Sequence, residues 1–192
     1  MWRALLGALL LLAGGWQLAS AAWLVTKAQL AQYLIGSAWQ EQLHSGKAAK
    51  PWPWADTRPV AKLVLNGGSP LMVLAGGSGQ ALAFGPGLLA GSGQPGQART
   101  TVIAAHRDTH FAGLQGLQRG DPIGLQDSRG RWYHYRVVGT RVVDSRRERL
   151  PIYAEPGLLL VTCYPFHTLN PGGPLRYLVY AEYRDGGATT QL

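Results

Sequence analysis

Cys163 is the single cysteine of a 192-residue chain, placed where the apolar run Leu158, Leu159, Leu160, Val161, Thr162 gives way to Tyr164 and Pro165. A lone thiol has no internal partner for a disulfide, and structural metal sites draw on several thiolates. Two uses are left, an inert thiol packed in the core and a nucleophile. A strand that ends in a thiol as the chain turns into a Pro/Gly-rich loop suits a nucleophile, because strand packing fixes the backbone while the sulfur faces a cleft. A nucleophile also needs a proton carrier and a donor for the oxygen on which charge builds. Of the five histidines, His44 lies in a helical stretch and His134 lies within a strand between Tyr133 and Tyr135. His106 instead ends the apolar run Val102, Ile103, Ala104, Ala105, and the polar segment Arg107, Asp108, Thr109, His110 follows. It repeats the architecture of Cys163, as if two strands delivered their last side chains to one rim.

Arg176 opens a third apolar segment directly after the loop that leaves Cys163. Antiparallel pairing of these two segments brings its guanidinium near the sulfur. Arginine is no base at working pH, but its planar fork of donors holds a thiolate, a carbonyl or an oxyanion. The competing use is a surface ion pair with Glu182 or Asp185. His106 and His110, four apart, with Asp108 between them, raise a metal reading, but the stretch follows a strand and lacks a neighbouring glutamate, so no metal is expected.

Short β-like segments fill the chain beyond Pro59. Candidate strands are Val60 to Leu65, Leu71 to Ala75, Gln80 to Phe84, Thr100 to Ala105, Pro122 to Gln126, Arg131 to Val138, Thr140 to Asp144, Leu158 to Cys163 and Leu175 to Tyr183. Most connections contain Gly or Pro, which predicts an all-β domain, a closed barrel or a sandwich, over 59–184. Gly85 to Gly96 reads as a loop or a small helical turn, and 185–192 as a tail. Upstream, Lys27 to Leu43 reads as a helix with Leu30, Leu34 and Ala38 at spacing four, beside Tyr33, Ile35 and Trp39. The Pro/Trp segment around Trp52 and Trp54 completes a linker over 27–58, with both indoles expected to pin it to the domain.

Ala4 to Val25 gives 22 residues without a charge, long enough to cross a hydrocarbon core as a helix. A cleaved signal peptide ending at Ala19, Ser20, Ala21 competes with an uncleaved anchor over 1–26. The anchor is the expectation, because apolar character resumes at Trp23, Leu24 and Val25. Either reading exports the rest of the chain. Outside the cell an exposed thiol is at risk of oxidation, so a single retained cysteine is explained by work or by deep burial. The formal net charge of +8 then favours anionic lipid or envelope polyanions over nucleic acid as a partner, with most arginines simply solvated.

The LLVTC stretch at Leu159 to Cys163, AAHRDTHF at Ala104 to Phe111, and Arg176 within PLRYLV resemble the cysteine, histidine and arginine signatures of sortases, in the same order along the chain. WPWAD at Trp52 to Asp56 is similar to the linker of the proteobacterial subgroup. Leu159 departs from the TLxTC signature at its first position, and Ala105 stands where a glycine usually precedes the histidine.

The resemblance implies a closed sortase-type β-barrel of about eight strands after an N-terminal transmembrane helix and a short helical linker. It further implies a single-pass protein of the inner membrane with its catalytic domain on the periplasmic side, and no cofactor. The implied reaction is cleavage of an exported protein at a C-terminal sorting signal similar to LPxTG, then transfer to an amine acceptor. By the same resemblance Cys163 attacks the threonyl carbonyl, His106 moves the proton, and Arg176 stabilises the oxyanion. Asp108 and Thr162 are implied as supporting residues, and Tyr164 and Asn170 belong to the loop that shapes specificity. The rival readings are another exported cysteine peptidase, an L,D-transpeptidase-like enzyme, whose SHGC-type motif is absent here, and a non-catalytic envelope-binding barrel.

Overall fold

The computed structural model describes residues 2–150, 155–168 and 172–184. Eight strands close into a barrel: β1 (Pro59–Leu65), β2 (Leu71–Ala75), β3 (Gly87–Leu88), β4 (Thr100–Ala104), β5 (Pro122–Asp127), β6 (Trp132–Asp144), β7 (Gly157–Cys163) and β8 (Leu175–Arg184). Around the wall they run β1, β2, β3, β4, β7, β8, β6, β5. Closure satisfies both edges of every strand, so short Gly-punctuated strands suffice.

β4 and β7 are parallel neighbours, with Thr100 opposite Gly157 and Ala104 opposite Val161. β8 runs antiparallel to β7. The C-terminal ends of β4 and β7 therefore meet the N-terminal end of β8 at one end of the barrel, the upper end. At the lower end lies the β5–β6 turn, where the Asp127 N–H donates to the Arg131 carbonyl at 2.9 Å, and the segment from Gly93, whose N–H donates to the Thr100 carbonyl at 2.8 Å.

Side chains alternate between the two faces of each strand. Leu158 and Leu160 enter the interior with Ile103, Leu63, Leu125 and Val179. Leu159 and Val161 take the outer face with Val102, Val143 and Leu178, where Leu89 and Leu150 pack over them. Burial on both faces explains why β7 reads as an unbroken apolar run.

Four expectations change. Gln80 to Phe84 is no strand but a short helix, α2 (Gly79–Phe84), capped by Ser78, whose hydroxyl accepts the Ala81 N–H at 3.2 Å. It carries the chain between parallel strands β2 and β3, a connection that a tight turn cannot make. The expected loop of 85–96 contains β3, where a Cβ on Gly87 would collide with the Gly76 carbonyl. Arg131 to Val138 and Thr140 to Asp144 are one strand, bent at a register shift between Val137 and Gly139. The expected linker helix is continuous with the apolar run, forming α1 (Trp2–Ser45).

The docked stripe of α1 is Ala31, Ile35, Ala38, Trp39 and Gln42, all buried, whereas Leu30 and Tyr33 are exposed. Gln32 also donates from its side-chain amide to the Phe84 carbonyl at 2.7 Å. Of the two linker indoles only Trp52 packs inward, edge-on to Phe84 at 5.5 Å, while Trp54 is 83% exposed. Trp39→Ala is expected to cost about 3 kcal/mol of helix docking. Hydrogen exchange should show lost amide protection over 31–45 with the barrel strands still protected.

Candidate active site

The parallel pairing of β4 and β7 persists past the last ladder pair. The Ala105 N–H donates to the Val161 carbonyl at 3.2 Å, and the buried Thr162 hydroxyl donates to the Ala105 carbonyl at 2.8 Å. Ala104 stands opposite Val161, so the same register carried two places further sets His106 beside Cys163. Cys163 in turn stands opposite Arg176 on β8. Three chemically capable residues thus occupy one row across three adjacent segments, spaced by about 4.8 Å between neighbouring strands. By alternation Cys163 and Arg176 fall on the outer face with Val161 and Leu178, at the upper end of the barrel.

Each member of the row is accessible in its own way. Cys163 is partly exposed, which sets aside the inert core thiol, and His106 is exposed. The His106 carbonyl accepts the Phe111 N–H at 3.1 Å and so holds the turn that presents the imidazole. Arg176 is not committed to Glu182, since Nη1 donates to the Gly173 and Leu175 carbonyls at 2.7 and 2.8 Å. Those two bonds brace the guanidinium against its own loop through one nitrogen. A thiol, an imidazole and a braced guanidinium in one row are the kinds of group that acyl transfer can use.

Arg107, which the sequence reading passed over, organises the surroundings. Only 5% exposed, it donates from Nη1 to the Pro165 carbonyl at 2.8 Å and from Nη2 to the Thr168 carbonyl at 3.4 Å. Its Nε faces the Asp108 carboxylate at 3.3 Å. One buried guanidinium therefore ties the loop after His106 to the loop after Cys163. The available signal was a lone arginine directly following a candidate histidine at the end of an apolar strand. His167 adds a second tie, its Nε2 lying 2.9 Å from Gln115 Oε1.

The supporting residues divide. Thr162 bonds backbone inside the barrel, and Asp108 braces Arg107. Tyr164 is half-buried among Phe166 and Tyr177, with ring centroids 6.2 and 6.3 Å away. Asn170 lies outside the described residues. His44 and His134 are exposed on α1 and β6, away from this row.

His110, half-buried next to His106, is held below its ordinary value of 6.5, first by burial and then by repulsion from His106. A ring-proton titration should place its midpoint below 6.5, and His106→Gln should raise it by the smaller share. Because the unfolded chain binds the proton more readily, the His110 contribution to stability is complete above about 6.5 and declines as the pH falls below it. Thr162→Val leaves the Ala105 carbonyl buried without its donor. A loss of about 1–3 kcal/mol in chemical denaturation is expected.

A family model described as the sortase domain matches residues 66–184. Sortase D of Bacillus subtilis (strain 168) is 31% identical over 114 residues, 58% of this chain and 57% of that protein. Sortase A from Corynebacterium diphtheriae is similar in structure, with a TM-score of 0.60 and 25% identity over 71% of this chain and 65% of that one. Clostridium perfringens sortase C, solved with the C-terminal cell wall sorting motif, shares the fold at a TM-score of 0.58 and 20% identity, over 83% of this chain and 90% of that one. The chain spans less than two thirds of the length of the first two relatives. With the family model covering the barrel from the β1–β2 turn to the end of β8, and both signature strands inside it, this chain belongs to the sortase family.

Proposed function

We propose that this chain is a membrane-anchored cysteine transpeptidase that cleaves an LPxTG-like C-terminal sorting signal and transfers the released acyl group to an amine. The observation that carries the reading is the single row of His106, just past the end of β4, with Cys163 on β7 and Arg176 on β8. The Cys163 sulfur attacks the threonyl carbonyl carbon, and the carbonyl electrons move onto oxygen, where Arg176 offers charge and donors. As the intermediate collapses, the carbon–nitrogen bond breaks and His106 gives its proton to the departing amine, leaving a thioester on Cys163. An incoming amine attacks that thioester, His106 takes its proton, and the sulfur leaves. Tyr164 and Asn170 fall to the loop that selects the substrate.

An 18-residue stretch of α1 has a mean hydropathy of 1.6 and is not buried against the protein, which supports a single span. We place the anchor in an inner membrane with the barrel on the periplasmic side, and the WPWAD segment favours the proteobacterial subgroup. Nothing in the fold favours a non-catalytic barrel, because burial would then be the simplest fate of the one thiol.

Mass spectrometry after mixing the protein with an LPxTG peptide should reveal a thioester adduct that disappears in Cys163→Ala and is discharged by a small primary amine. Failure of Cys163 to react with any thiol probe at neutral pH would sink the reading. Arg176→Lys keeps the charge but loses the planar fork. Its acyl-enzyme formation should fall by about 100-fold or more with an unchanged melting temperature.

A further inference from the structure

The Pro/Trp segment between α1 and β1 carries an exposed indole that neither the barrel nor the reaction uses. Its path follows from three contacts. Ser45, Gly46 and Ala48 line one surface cavity with Arg58, so the segment leaves the end of α1 and returns to the same place before β1 begins. Between those points Trp52 packs edge-on against the Phe84 ring at 5.5 Å, and the Phe84 carbonyl accepts the Gln32 side-chain amide at 2.7 Å. Trp52 thus stands near Gln32, about 20 Å back along the helix from Ser45. Seven residues cover that climb, close to their extended reach of about 23 Å. The chain then reverses, because the Ala55 N–H donates to the Trp52 carbonyl at 3.0 Å and closes a β-turn with Pro53 and Trp54 at its centre. Proline at the first central position presets this turn, and burial of Pro51 and Ala55 holds both arms against the domain. The apex is the point of the excursion nearest the apolar run, whichever way the barrel axis lies.

We propose that this turn is a second contact with the bilayer, given the reading of α1 as a membrane span, and that Trp54 seats its indole in the interfacial layer. Gln32 lies about 10 Å of helix beyond Val25. The headgroup layer on one side of a bilayer is about 5–8 Å thick, and the two residues from Trp52 to Trp54 advance by up to about 7 Å. The apex therefore reaches the interface, where an indole places an apolar body and an N–H donor to advantage. Trp54 is 83% exposed, and Pro53 beside it is exposed as well. Charge does not account for the patch, since the nearest exposed charges along the chain, Lys50 and Asp56, have opposite signs. The partner is the lipid interface itself, with no requirement for an anionic headgroup. A single span leaves the domain free to rock over the membrane, and a second contact beside it removes that freedom.

The test uses the full chain in phosphatidylcholine vesicles. Subtracting the emission of Trp54→Phe from that of the unaltered protein isolates this indole among the seven tryptophans. The difference emission is expected to be shifted to the blue of water-exposed indole, quenched several-fold by lipid brominated near the headgroup end of its acyl chains, and little changed by aqueous iodide or by salt. In parallel, a fluorescent label on Leu11→Cys in a Cys163→Ala background reports the span through an acyl-chain quencher. A Trp54 emission that iodide quenches and brominated lipid does not, with the Leu11 label quenched, overturns the interfacial seat and leaves the span intact. An unquenched Leu11 label overturns the span, and the seat with it.

Discussion

The row of His106, Cys163 and Arg176 depends on the parallel register of β4 and β7. Thr100 to Ala104 lie against Gly157 to Val161 without a slip, and the buried hydrogen bond from Thr162 to the Ala105 carbonyl extends the pairing to His106 and Cys163. A shift of one residue would turn Cys163 into the barrel interior and bring Thr162 outward, since successive side chains point to opposite faces. Dense packing on both faces of β7, with Leu158 and Leu160 inside and Leu159 and Val161 outside, opposes that shift.

A second constraint governs the loops. His106 and Cys163 both sit where strand gives way to irregular chain, so their backbone needs support beyond the ladder. Arg107 supplies it from a buried position by donating to carbonyls of the loop that follows Cys163. A guanidinium so far from solvent is tolerable only when its donors are satisfied, so the same bonds that stabilise the charge also fix the two loops together. Arg176 is braced in the same manner by carbonyls of its own loop, which keeps a cation at the row without tying it to a carboxylate.

The helix α1 joins the barrel to whatever surrounds its apolar run. Its buried stripe from Ala31 to Gln42 gives the helix one rotational setting, and the contacts at Phe84 and Gly130 pin its two ends to the wall. The closed wall makes this possible, because a barrel has no spare edge on which the helix could find a competing site.

Much of the site was legible in the residues. A single cysteine at the end of an apolar strand, a histidine ending another, and an arginine opening a third signalled the row, because strand ends are where packed backbone meets solvent. Most strand positions followed from period-two patterning and Gly/Pro punctuation. The misread places share a cause. Gln80 to Phe84 is too short for periodicity to separate helix from strand, and the Ser78 cap together with the parallel β2–β3 connection decided it. Both faces of α1 carry apolar residues in its docked half, so Leu30 and Ile35 were equal candidates until the barrel chose Ile35. The sequence by itself determined the candidate reacting residues, most of the strands and the apolar run, since these rest on residue types and local spacing. Only the tertiary structure decided the strand order, the buried role of Arg107 and the docked face of α1, since each depends on contacts between segments far apart in the chain.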